Sequence, residues 1–472
     1  MPNSFPSTEA VSLKSLKEFF KECNLIKDIT LLADSLGNFS QNHVDLLKKS
    51  DYITPALYKD YGVKIGLRNA DGSGILAGLT NISQIVASKI VDGEKKPCDG
   101  ELWYRGQEIN KLINGLGDDL GFEKIAYLLI MGVMPNDDEL AEFKTILGEA
   151  RTLPPHFVRD IIMKAPTGDI MKSMMRSILA YSYYDTNALD TSVGNVLRQC
   201  IELIDTFPLF AAYAYPSYNH YKKGGSMYIH MPDPKLSAAE NMLSILRPDR
   251  KYTPLEAKVL DTALILHMEH GGGNNSSFTT RVVTSSGSDT YSTMTAAMAS
   301  LKGFRHGGAN LKFISMMGDI REHVNDWYDR DEVAAYIEKI VNKEAFDRTG
   351  LVYGMGHAVY TLSDPRERIL KEYVKLLVRE KGMEADFALH ENIEAVAPAI
   401  IAKARNMPRP PAPNVDFYSG AVYYMLNVPP SFYTAIFAIA RIVGWSAHRL
   451  EEIITSNKIM RPAYKSVMVK SD

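Results

Sequence analysis

Gly303-Phe304-Arg305-His306-Gly307-Gly308-Ala309-Asn310 is the stretch on which the reading of this chain turns. Small helix formers run up to it from Thr293 to Leu301, and Leu311, Phe313, Ile314, Met316 and Met317 resume an apolar pattern beyond it. The pattern on the two sides predicts a pair of helices joined by a glycine turn that carries a histidine. The positive end of a helix dipole disfavours imidazolium, so His306 is expected to stay neutral and to donate one N–H to a polarised oxygen. A histidine that merely caps a turn fits the same residues.

Outward from this turn the periodicity is almost wholly helical. Segments 122–133, 137–150, 168–184, 191–215 and 235–246 have helical spacing, and residues 1–60 read as a polar helical lead-in with Leu13, Leu16, Phe19 and Phe20 on one face. Strand signals are confined to the N-terminal part. Val63–Leu67 and Gly74–Leu79 flank Asn69-Ala70-Asp71-Gly72-Ser73 as a hairpin-like pattern, and Glu101–Gly106 gives a second short strand. The expected fold class is therefore mainly α with a few short strands near the N-terminus. The helix predicted over 253–270 is the best signposted: Thr253, Pro254 and Glu256 supply an N-cap, an N1 proline and a capping-box acid. Its interior is apolar on all sides, and Gly271-Gly272-Gly273 stops it just after His270. There His270 either stabilises the helix dipole or binds an anion.

Composition narrows the class. The 472 residues are 46% hydrophobic and 23% charged, ordinary values for a globular chain with room for two or three domains. A net charge of −3 points to neither nucleic acid nor an anionic membrane as partner. Cys23, Cys98 and Cys200 lie far apart and form neither a disulfide framework nor a metal pair, which suits a reducing, cytoplasmic setting. The N-terminus has no apolar signal core, and the apolar run 431–447 is too short and too interrupted to span a membrane.

Further candidates follow in chain order. Gly354 and Gly356 permit close backbone approach to a ligand beside His357. Asp364 before Pro365 reads as the N-cap of a helix running to about Arg379, and Arg366 lies just inside it. The stiff connector 408–413 delivers Asp416 into a Tyr-rich helix, where Asp416 is either an N-cap or a carboxylate made more basic by desolvation. Arg441 is the single charge within 431–447. A buried guanidinium cannot shed its proton, so it needs an anion, either an internal carboxylate or one on a substrate. Arg461 sits in an apolar tail and is open to the same reading. Histidine donors with a carboxylate base suit proton removal beside a carbonyl, and the arginines suit a dicarboxylic acid.

Taken in order, these segments resemble the citrate synthase family from about Glu101 to Arg461. His270 at the end of a buried helix, the 303–310 segment (like GPxHGGAN), Gly354–His357 (like GxGH), Asp364-Pro365-Arg366, Asn414–Gly420, Ala440–Trp445 and Arg461-Pro462 carry the likeness. The resemblance implies an acyltransferase that condenses acetyl-CoA with oxaloacetate and hydrolyses the resulting thioester. It implies Asp416 as base, His306 as partner of the thioester oxygen and His357 as polariser of the ketone. His270, Arg366 and Arg441 would hold oxaloacetate, with Arg461 contributed across a homodimer. It also implies a helical two-domain fold, with a large domain from 1–307 plus 428–472 (1–60 an extension) and a small domain from 308–427 that closes over the ligands. No metal and no cofactor beyond acetyl-CoA as substrate is expected.

The chain departs from the family pattern in three places. Glu269-His270-Gly271 replaces Asp-His-Glu, Phe304 replaces a proline with Arg305 as an extra residue, and Thr361 stands where many relatives carry a basic residue. Arg305 either faces the CoA phosphates or is a solvated turn charge, and Gly354 and Gly356 are further candidates for CoA contact. A 2-methylcitrate synthase using propionyl-CoA is the nearest rival, since one methylene changes discrimination by only about 1–3 kcal/mol. A non-catalytic dicarboxylate-binding relative would be expected to have lost one of His306, His357 and Asp416, and all three are present. A histidine-rich metal hydrolase lacks ligand pairs at metal-site spacing.

Overall fold

The computed structural model describes residues 25–69, 74–456 and 458–468. It divides into two compact units, residues 1–77 and 78–472. The first holds helices α1 (Leu25–Ser50) and α2 (Pro55–Asp60), the latter begun by a proline at its first turn. The helical face expected from Leu13 to Phe20 lies outside the described residues. The hairpin-like segment forms isolated bridges instead of strands, Ile65 with Arg68 and Arg68 with Gly74, and its central residues 70–73 are also outside. The cause is local: Gly66 and Leu67 both take left-handed backbone angles, φ 61° and 57°, which breaks the extended run.

The second unit opens with an antiparallel sheet of β1 (Ser83–Val91), β2 (Glu94–Tyr104) and β3 (Gln107–Glu108), in that order. Asp92 and Gly93 make the β1–β2 turn with φ 55° and 78°, the two-residue geometry whose twist matches paired strands. Among the described residues the longer elements after it are all helical. In chain order come α3 (Ile109–Leu116), α4 (Phe122–Met131), α5 (Asp137–Ala150), a short π-helix (Val158–Met163), α6 (Ile170–Tyr181), α7 (Val193–Lys223) and α8 (Ala238–Leu246). They are followed by α9 (Pro254–His267), α10 (Asn275–Ser285), α11 (Thr290–Lys302), α12 (Ala309–His323), α13 (Arg330–Val341), α14 (Pro365–Lys381), α15 (Glu384–Ala404), α16 (Val415–Met425) and α17 (Tyr433–Thr455). The mainly α expectation with strands near the N-terminus holds.

Two buried helices position the site. α9 has the capping box read from sequence, Thr253 with Glu256, and is buried from Glu256 to His267. It stops at His267 and not at His270. Tyr104 Oη lies 3.1 Å from Ile265 O and accepts the Glu269 N–H at 3.3 Å, so a side chain from β2 meets the groups that a further helical turn would have used. α17 begins after a 3₁₀ turn at Pro430–Phe432 and packs against α4, α7, α9 and α10. Among the helices between 308 and 427, α13 packs on α15 and α16 on both α12 and α14.

Candidate active site

His306 sits in the loop between α11 and α12, with its N–H bonded to Gly303 O at 2.9 Å and the following Gly307 N–H to Leu301 O at 2.8 Å. Its half-buried ring is anchored through Nε2, 3.0 Å from Asn274 Oδ1 and 3.2 Å from Ser276 Oγ. Asn274 is the N-cap of α10, and its Oδ1 already accepts the Ser276 N–H. That oxygen is thus an acceptor, which places the imidazole proton on Nε2. Trp445 Nε1–H donates to Ser276 Oγ at 3.1 Å and fixes the anchor from α17. Burial pulls His306 down to about 4, and Arg441 acts in the same direction. The neutrality expected from sequence is present, with desolvation as its main cause and a neighbouring guanidinium acting the same way. Its N–H is engaged by Asn274 and Ser276.

His357 is fixed the other way round. The backbone N–H groups of Val359 and Tyr360 both donate to Nδ1, each at 3.0 Å. Two donors on one nitrogen leave the ring proton on Nε2, the opposite edge. Burial and then Arg366 pull His357 down to about 4, against a smaller lift from Asp364. His270 faces it, with ring centroids 5.0 Å apart, and is itself buried with Nε2 unpartnered among the described residues. Burial and the charges of Arg366, His357 and Arg441 keep His270 well below the usual histidine range.

Asp364 caps α14 as read, accepting Arg366 N–H at 3.0 Å, and it does more. It clamps the Arg366 guanidinium at 3.0 and 2.7 Å and accepts Val415 N–H at 3.2 Å, tying the start of α14 to the start of α16. Asn414, not Asp416, caps α16, because its side chain takes the Asp416 N–H at 3.0 Å. The Asp416 carboxylate is therefore free of capping. Its closest partner is Asn310 Nδ2 at 3.5 Å, from the end of the glycine segment that carries His306. Burial lifts Asp416 to about 6, opposed by Arg366 and Asn310.

The two glycines beside His357 take φ 84° and 85°. The close approach that Gly354 permits is to Phe417 and Phe313, which a Cβ would meet at 2.9 and 3.1 Å. Gly354 O accepts Asn414 N–H at 2.9 Å and Gly356 N–H donates to Ala412 O at 2.7 Å, so the histidine loop is zipped to the entry of α16.

Arg441 carries the strongest signal. It is fully buried, its Nε donates to His267 O at 2.6 Å, and Nη1 and Nη2 have no partner among the described residues. Its guanidinium lies over Phe437, 4.7 Å from the ring centre. Burial brings it down to about 10. Of the two anions considered from sequence, an internal carboxylate at ion-pair distance is absent among the described residues. The Arg441 charge is felt at His306 and His270, and the Arg366 charge at His357, His270 and Asp416. Arg305 is exposed against Phe304, and Arg461 is exposed on the tail after α17.

The chain itself matches known proteins over most of its length. The family model for the citrate synthase C-terminal domain matches residues 70–463. The chain belongs to the citrate synthase family. Citrate synthase from Synechocystis sp. is 33% identical over 375 residues, covering 79% of this chain and 85% of that protein. The 2-methylcitrate synthase 2 of Corynebacterium glutamicum is 29% identical over 394 residues, covering 82% and 92%. A solved ternary complex of citrate synthase from Thermoplasma acidophilum with carboxymethyl coenzyme A and oxaloacetate superposes with a TM-score of 0.69 at 25% identity, covering 86% of this chain and 96% of that one. The citrate synthase match begins about thirty residues before the likeness read from sequence, and α1 and α2 precede it.

Sequence reading missed the residues that hold His306 and the neighbouring helix ends. Asn274 and Ser276 could have been found as an N-cap signal straight after the glycine stop. Trp445 and Tyr104 could not, since they reach their partners across more than 160 residues.

Proposed function

We propose that this chain condenses acetyl-CoA with oxaloacetate and hydrolyses the thioester to release citrate and CoA. The observation that carries the reading is Arg441, a buried guanidinium with two nitrogens unpartnered among the described residues, beside neutral histidines. Such a group suits a carboxylate that arrives with the substrate. Oxaloacetate would lie between Arg441, His270 and Arg366, its ketone toward the Nε2–H of His357. That imidazole is neutral and oriented, so it donates without first losing a proton. Acetyl-CoA would present its methyl to Asp416, whose desolvated carboxylate is more basic than usual yet still ionised near neutral pH. The enolate oxygen then competes with Asn274 for the Nε2 proton of His306, so the histidine meets charge as it forms.

Attack of the enol carbon on the ketone gives a citryl thioester, and water cleaves it. Residues 308–427 form the proposed small domain, and its closure over 1–307 and 428–472 would keep water out until carbon–carbon bond formation is complete. In a homodimer, Arg461 of the partner subunit would complete the oxaloacetate site, which accords with its exposure here. Arg305, also exposed, is the proposed CoA phosphate contact, and Gly354 and Gly356 are further candidates for CoA contact. The setting is cytoplasmic, and the chemistry needs no cofactor. Among the described residues no acid, histidine and cysteine cluster could hold a metal, and no helix is long and apolar enough to cross a membrane.

Propionyl-CoA is the second reading, supported by the 29% identity to a 2-methylcitrate synthase. Oxaloacetate-dependent thiol release from a panel of acyl-CoAs tests both. Release from acetyl-CoA with the higher kcat/KM supports the first, and preference for propionyl-CoA the second.

A further inference from the structure

Glu269 is a buried acid with no part in the chemistry above. Its Oε1 accepts Ser83 Oγ–H at 2.9 Å and His448 Nε2–H at 3.1 Å, while Oε2 has no partner among the described residues. His448 Nδ1 lies 3.4 Å from Arg281 Nη1, and Arg281 pairs with Glu451 at 2.6 Å and Glu452 at 3.1 Å. Arg441, Gly444, His448 and Glu452 follow one another at three- and four-residue spacing, so one stripe of α17 carries the whole series. Gly444 is where the stripe touches Glu269. A Cβ there would overlap both the Met268 carbonyl and Glu269 Oε2, so only glycine lets α17 come this close.

A buried acid and a buried guanidinium, each incompletely satisfied, ordinarily close into an ion pair, because an uncompensated charge in a dry interior is costly. Glu269 and Arg441 do not, and hydrogen bonds hold each in place. Ser83 and His448 take the acid, and the His267 carbonyl takes Arg441 Nε at 2.6 Å. The charges still act on one another. Against the downward pull of burial on Arg441, Glu269 is the foremost charge acting in the opposite direction. Burial pushes Glu269 up, yet His448, Arg441 and Ser83 together hold it at about 2.

We propose that Glu269 is a positioning residue, a counter-charge that Ser83 and His448 hold back from Arg441 so that the guanidinium stays open to a substrate carboxylate. This rests on Arg441 being an oxaloacetate ligand. Cutting the tether lets the Glu269 carboxylate swing toward Arg441 and compete with the substrate. Neutralising the acid removes the competitor.

Steady-state kinetics on the full-length chain test this with Ser83→Ala and His448→Ala, each alone and combined with Glu269→Gln. Each tether variant should raise the oxaloacetate KM, by roughly tenfold for His448→Ala, the effect of about one charge-assisted hydrogen bond in competition. The acetyl-CoA KM should change less. Adding Glu269→Gln should bring the oxaloacetate KM back toward the parent value, a rescue that a merely structural role does not predict. Should His448→Ala fail to fold, Ser83→Ala at the half-buried start of β1 carries the test. An oxaloacetate KM unmoved by loss of the tether, or one that rises further when Glu269→Gln is added, overturns the proposal. Arg441→Leu serves as the separate control. An unchanged oxaloacetate KM there overturns the reading of Arg441 and the tether with it.

Discussion

Replacing Arg441 by leucine separates substrate binding from folding. The guanidinium makes one hydrogen bond, Nε to His267 O at 2.6 Å, and covers Phe437 at 4.7 Å. Losing the first orphans a buried carbonyl at a cost of about 1–3 kcal/mol, and losing the second costs about 0.5–2 kcal/mol. Leucine also removes a buried cation with no ion-pair partner among the described residues, which relieves a desolvation penalty of several kcal/mol. These changes oppose one another, so the urea midpoint should correspond to a shift of no more than about 2 kcal/mol. Oxaloacetate, by contrast, loses Nη1 and Nη2. Two charge-assisted hydrogen bonds at about 1.5–3 kcal/mol each predict an affinity lower by about 10²–10⁴-fold. Titration calorimetry with oxaloacetate gives that number, and acetyl-CoA KM at saturating oxaloacetate gives the comparison. Equal losses for both ligands with a large drop in midpoint would mean that Arg441 serves the fold, and an unchanged oxaloacetate affinity would refute the argument.

Other outcomes follow from the same geometry. With Asp416 lifted to about 6, the log of kcat/KM for acetyl-CoA should rise with pH through about 6 and level above it, because only the ionised carboxylate accepts the proton. His306 and His357, both near 4, should add no limb until well below that point. His357→Ala should lower kcat far more than it raises the oxaloacetate KM, and the carbonyl band of bound oxaloacetate should move toward its free-solution frequency. A band that stays where the parent protein puts it would free His357 of its role. Gly444→Ala should destabilise the chain by about 1–3 kcal/mol or more in urea unfolding, since the obstructing Met268 carbonyl is backbone and cannot swing aside.

Much of this was legible in the sequence where the cause was local. The capping box at Thr253 and Glu256 and the cap at Asp364 announced α9 and α14, because each signal lies within one turn of the helix it starts. Asp92-Gly93 announced the β1–β2 hairpin just as plainly and went unread, whereas the hairpin expected around residue 70 yields only isolated bridges. At Asn414 and Asp416 two capping residues stood two apart, and only coordinates decide which one turns its side chain to the backbone. The solitary arginine in an apolar helix showed that an anion was needed. Whether that anion is internal depends on where Glu269 points, and Ser83 and His448, 186 and 179 residues away in sequence, determine that. Distances of that kind belong to the fold, and no periodicity records them.

The most direct measurement is thiol release from acetyl-CoA by the full-length chain and by Asp416→Asn, each with and without oxaloacetate, with oxaloacetate binding measured in parallel. The account predicts release that requires oxaloacetate in the parent chain, and none above background in the variant, which still binds oxaloacetate. Near-normal turnover by Asp416→Asn, or release indifferent to oxaloacetate, would contradict it.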